Sequence, residues 1–171
     1  MKTERQKELI NSFLSALEDE FKPLYQDIIV YLSELGYNPQ KEKSNISFKH
    51  DLHNKQIVKM GVKKSKEPYP FFSLRFSACK DYSQRFSDIV SSAIIKYPSK
   101  APGCISNGCH YCMGEPETHI YTYTFPNGER KLHCGAHVFE IPSITVKDMG
   151  EIKKLIKEEH EYLLKHEASI K

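Results

Sequence analysis

Tryptophan is absent from the 171 residues, and no stretch approaches the roughly 18 consecutive apolar residues that a membrane span needs. Residues Met1 to Lys7 carry charges of both signs with no apolar run behind them, unlike a secretory leader. Low-complexity tracts and internal repeats are missing too. No serine-nucleophile elbow, phosphate-binding glycine loop or dinucleotide fingerprint occurs, so the common enzyme signatures offer no starting point. Cysteine is scarce and odd in number, five in all, which excludes a complete disulfide framework and points to thiols or thiolates in a reducing, cytoplasmic setting. Net charge is only +3, too small to name a partner by itself.

What is present suffices for one core. Apolar residues make up 39% and charged residues 27%, the balance of an ordinary globular chain, and the length fits a single domain over residues 1–171. Leu9, Ile10, Phe13, Leu14, Leu17 and Phe21 recur at helical spacing and predict an amphipathic helix ending near Pro23. Leu24, Ile28, Ile29, Leu32 and Leu35 predict a second, stopped at Gly36, with Asn38 and Pro39 opening a loop. From residue 45 the period becomes two: Ile46, Phe48 and His50, then Val58, Met60 and Val62, then Phe72, Leu74 and Phe76 predict three antiparallel strands. Asp81 and Gln84 mark the start of a helix whose face runs from Tyr82 to Tyr97. Asn127-Gly128 between alternating segments predicts a hairpin, with Tyr123 opposite Leu132 and Tyr121 opposite Cys134. Asp148 and Glu151 are the expected capping box ahead of a closing helix carrying Ile152, Leu155, Ile156 and Leu163. The expected fold is α+β: an antiparallel sheet covered by helices, in the order α-α-β-β-β-α-metal loop-β-β-α.

Four of the five cysteines fall between residues 104 and 134, in a stretch rich in glycine and proline that has neither helical nor strand period. Cys109-His110-Tyr111-Cys112, then 21 residues, then Cys134-Gly135-Ala136-His137 makes two pairs of metal-ligand type. Two residues between ligands let one tight turn aim both side chains at a single ion, and tetrahedral zinc takes four such ligands. Gly114 and Gly135 relieve crowding at these turns, and the hairpin brings the second pair back towards the first. Cys109, Cys112, Cys134 and His137 are the expected ligands, and Cys104, His110, His119 and His133 could each substitute. Over residues 104–137 the spacing resembles the knuckles of zinc-ribbon proteins, a resemblance that implies structural zinc and no activity.

Other groups are weighed against plainer roles. Free buried cysteines would pack as small hydrophobes, and a redox pair at Cys109 and Cys112 would be expected to open a helix after a strand, where these flanks read as loop. Glu115 and Glu117 read as solvated loop carboxylates, leaving zinc without a catalytic base. His160, Glu161 and His166 read as exposed helix residues; His50 and His53 flank a predicted turn and could bind a metal or an anion, but polar turn residues are the commoner explanation. Residues 41–66 hold eight lysines against Glu42 and Asp51; with Arg75, Phe71, Phe72 and Phe76 they could form a nucleic-acid surface, though a solvated sheet face fits as well. Tyr121, Tyr123, Phe72 and Phe76 could line a small-molecule cleft. The leading expectation is a non-enzymatic, zinc-stabilised module that binds a small molecule or a protein. A nucleic-acid-binding protein and a thiol- or metal-dependent enzyme are the alternatives.

Overall fold

The computed structural model describes residues 3–66, 68–97 and 116–167. Thr3 caps helix α1 (Glu4–Ser15) through a reciprocal capping box with Gln6, and Ile10 and Phe13 turn inward. Helix α2 (Lys22–Glu34) contributes Tyr25, Ile28, Ile29 and Leu32. Pro23 therefore opens α2 and does not end α1: proline is tolerated in a first turn, where its missing N–H has no helical partner in any case.

A five-stranded antiparallel sheet follows, built from β1 (Tyr37–Glu42), β2 (Asn45–His50), β3 (Gln56–Lys63) and β4 (Tyr69–Leu74), with β7 (Phe139–Ile141) returning beside β4 in the order β1-β2-β3-β4-β7. Two strands exceed the expectation. Asn38 and Pro39 lie in β1 and not in a loop, and the sheet tolerates the proline because β1 is an edge strand. The register pairs Ile46 with Met60 and Phe48 with Val58, then Val58 with Leu74 and Met60 with Phe72, so these six share the face packed into the core with α1, α2 and the last helix. The opposite face carries the polar row Ser47, Lys59, Ser73 and Glu140.

Helix α3 (Gln84–Lys96) buries Phe86, Val90 and Ile94, as its period requires. Its N-cap is Ser83, while Asp81 instead receives Lys154. The hairpin of β5 (Tyr121–Thr124) and β6 (Arg130–His133) forms a separate two-stranded sheet. Its register is one residue off the expected pairing: Tyr121 faces His133 and Tyr123 faces Lys131. The cause is Pro126, which joins Asn127 and Gly128 in a three-residue loop; Gly128 N–H donates to Phe125 O, Phe125 N–H donates to Glu129 O, and Gly128 takes a left-handed φ of 83°. A box between Thr145 and Asp148, in a short 3-10 turn, leads into α4 (Met149–Glu167).

Candidate metal centre

Cys104, Cys109, His110 and Cys112 lie outside the described residues, as does the loop predicted around them. The other half of the predicted constellation is visible at the base of the β5–β6 hairpin. His137 N–H donates to Cys134 O at 3.3 Å, closing the tight turn that two intervening residues allow. Gly135 sits so close to the chain before β5 that a Cβ there would lie 1.5 Å from the His119 carbonyl oxygen and 2.8 Å from Ser77 Oγ. No other residue type fits that gap without moving backbone. Ser77 Oγ donates to Gly135 O at 2.9 Å, and Tyr121 OH donates to His137 O at 3.0 Å while accepting the Phe76 N–H at 3.0 Å. The turn is thus held by residues that follow β4 and by residues that lead into and begin β5.

His133 Nε2 lies 2.8 Å from His137 Nδ1, a contact in which one imidazole donates and the other accepts. His133 and His119 are buried, Cys134 and His137 half-buried. His119 Nδ1 is 3.0 Å from Tyr162 OH, which is itself 2.8 Å from Thr118 Oγ1. Cys79 is a free thiol. Burial, with Glu159 behind it, pushes the Cys79 thiol well above the ordinary range, so this cysteine is a poor nucleophile. Glu117 forms a surface ion pair with Arg130 at 2.9 Å, in keeping with a solvated carboxylate.

Beneath the turn runs a buried ion pair. Glu159 is fully buried and accepts Arg75 Nε at 2.6 Å and Ala78 N–H at 2.8 Å, with Ser77 Oγ at 3.4 Å. Lys80 Nζ donates to Ser77 O and Ile120 O at 3.0 and 2.8 Å, and burial lowers its pKa against the pull of Glu159. Residues 75–80 therefore tie α4 to the hairpin.

A second cluster adds His160 to His50 and His53, a grouping the sequence did not reveal. His50, His53 and His160 are 7%, 6% and 8% exposed, so none of them is the solvated residue expected of a turn or an outer helix face. One nitrogen from each lies within 4.8 Å of the others, and Tyr37 packs edge-on against all three rings. Desolvation, reinforced by His50, His160, Arg75 and Lys55, pushes His53 down to about 4; His160 is lowered by desolvation and then by His50. A signal for this cluster existed. Ile152, Leu155, Ile156, Glu159, His160 and Leu163 continue one helical stripe, so Glu159 and His160 occupy core positions despite their polarity.

The other expected surfaces are altered by burial. Phe72 and Phe76 are fully buried and Phe71 nearly so, Arg75 is committed to Glu159, and Lys59 and Lys63 pair with Glu42 and Glu140, so the proposed stacking face for nucleic acid is not assembled. Tyr121 and Tyr123 do border a cleft of about 450 Å³ with Cys79, Lys80 and Tyr82, without Phe72 or Phe76. A larger cleft of about 780 Å³ between α3 and β7 is lined by no cysteine or histidine. Among the described residues, no helix is long and apolar enough to cross a membrane. No protein-family model, curated protein or solved structure matches the chain.

Proposed function

We propose that the chain is a zinc-binding protein of non-enzymatic type, in which a structural zinc held by Cys109, Cys112, Cys134 and His137 staples the C-terminal hairpin to the sheet and supports the binding of a small molecule or a protein partner. The observation that carries this reading is the Cys134–His137 turn, closed by its own hydrogen bond and fixed in place through Gly135, Ser77 and Tyr121. Such pre-orientation is what a ligand pair requires and what two ordinary surface residues do not. With the His137 Nδ1–H donated to His133 Nε2, the His137 Nε2 lone pair is left for the metal, and His133 serves to orient that ligand. Chain length permits the remaining two ligands to join: Cys112 is seven residues from His119, a span of up to about 24 Å when extended. Four protein ligands leave no open position for water, so the metal acts on folding and not on a substrate. Thiolate ligands of this kind persist in a reducing compartment, which supports a cytoplasmic location.

The test is thermal unfolding before and after complete chelation. Zinc removal is expected to lower the melting temperature and to release the 119–137 segment first, because structural zinc in small modules contributes on the order of 10 kcal/mol of apparent binding free energy. An unchanged melting curve in protein verified to be metal-free would overturn the proposal.

A further inference from the structure

The cysteine-based zinc leaves His50, His53 and His160 without a role. We infer that these three histidines form a second, all-nitrogen site for a divalent transition metal of the zinc and cobalt class, independent of the cysteines.

The donor set is suited to it. Because the three nitrogens lie within 4.8 Å of one another, some point is no more than about 2.8 Å from each, a short inward step from the roughly 2.0–2.1 Å of a zinc–imidazole bond. Neutral imidazole is the form that ligates, and the buried surroundings favour it. His53 Nε2 is buried and has no hydrogen-bond partner, a state that folded proteins generally avoid and that a ligand at this point would relieve. The nearby Arg75 charge is balanced by Glu159, so the site does not repel a cation outright. Three nitrogens from one turn and one helix leave a fourth position for water or an added ligand.

The geometry also indicates how the ion enters. The His50 and His160 rings cross at 54° with centroids 5.3 Å apart, so their in-plane lone pairs can converge. His50 and His53, in contrast, stack at 12° and 4.4 Å, and the lone pairs of stacked rings run parallel. One ring has to turn. His53 is the one placed to do so, because it lies at the surface turn beside Asn54, which has a left-handed φ of 52°, whereas His50 is held in the ladder at the end of β2, paired with Tyr37 of β1. Leu52 N–H and Lys55 N–H donate to Nδ1 of His50 and His53 at 3.2 and 3.1 Å, which puts each neutral ring's proton on Nε2. Ligation through Nε2 moves that proton to Nδ1, so both backbone contacts must open. Metal uptake is therefore coupled to a rearrangement of residues 50–55 that leaves Cys134 untouched.

The experiment is a cobalt(II) titration of the full chain, followed by absorption, on the wild type, Cys134→Ser, His160→Ala and His53→Gln. Cys134→Ser, with Cys109 and Cys112 alkylated, is expected to retain one cobalt equivalent whose spectrum lacks thiolate-to-metal charge transfer. His160→Ala and His53→Gln are expected to weaken that equivalent by at least tenfold while keeping the thiolate band. Amide resonances of residues 50–55 in Cys134→Ser should move as cobalt is replaced by zinc, a readout that needs no histidine variant to fold. Failure of the cysteine reading would appear separately, as a missing thiolate band in every form. The inference is overturned if Cys134→Ser binds no cobalt, if both histidine variants bind it as the wild type does, or if the amide resonances of residues 50–55 respond to chloride or formate and not to metal, which would make the Nε2–H groups donors to an anion.

Discussion

Cys134 and His137 are neighbours in one tight turn, whereas His160 reaches His50 and His53 from a helix at the far end of the chain. In the first region the proposed ligands share one tight turn of local backbone, which a glycine against a carbonyl and hydrogen bonds from Ser77 and Tyr121 anchor to the rest of the fold. In the second they are aimed by tertiary packing, and local hydrogen bonds to Nδ1 work against ligation. Local geometry gives a site a sequence signature; packing gives none. Glu159 connects the two, since it holds Ala78 and Ser77 under the turn and immediately precedes His160.

Perturbations should separate the regions in a graded way. Glu159→Gln leaves Arg75 buried against a neutral partner and is expected to cost about 3–5 kcal/mol in urea unfolding, loosening both clusters. If it proves neutral, the two regions share no frame. Gly135→Ala drives a methyl into the His119 carbonyl and should cost about 2–3 kcal/mol with loss of metal at the cysteine site only; Gly128→Ala, which meets nothing but a left-handed φ, should cost about 1 kcal/mol. Equal effects would show that the turn is not held by close packing.

Acid should act on the histidine cluster through His53. In chelated protein the folded-state pKa of His53 is about 4 against about 6.5 unfolded, so between those values the unfolded chain binds more protons. Stability from this group is complete above about pH 6.5, falls as the pH drops towards 4, and changes no further below it. Melting temperatures across that window should fall in the wild type and less in His53→Gln, and parallel curves would remove His53 as the cause. The smallest effect belongs to neither region: Lys59→Ala and Lys63→Ala break half-exposed pairs with Glu42 and Glu140 and should each cost under about 1 kcal/mol.

The helical stripes and the three central strands were legible because their residues obey one period over many positions, from Ile10 and Phe13 in α1 to Leu155 and Ile156 in α4. Strand β1 was hidden by Asn38 and Pro39, which read as turn residues until an edge strand is available to accept them. Three residues, Phe139–Ile141, are too few to show alternation, so β7 exists only through its pairing with β4. The hairpin was readable but its register was not, since Pro126 adds a loop residue and moves every partner by one. The turn at Cys134 was legible from spacing. His160 was not, because polarity suggests an outer face and only the continuation of the Ile152–Leu163 stripe reveals that Glu159 and His160 point inward.

Zinc content per chain, measured on protein purified without chelator for the wild type and for Cys134→Ser, tests the central claim most directly. The account predicts that the variant loses one equivalent of zinc relative to the wild type. Equal zinc content in the two would contradict it, since Cys134 would then hold no metal.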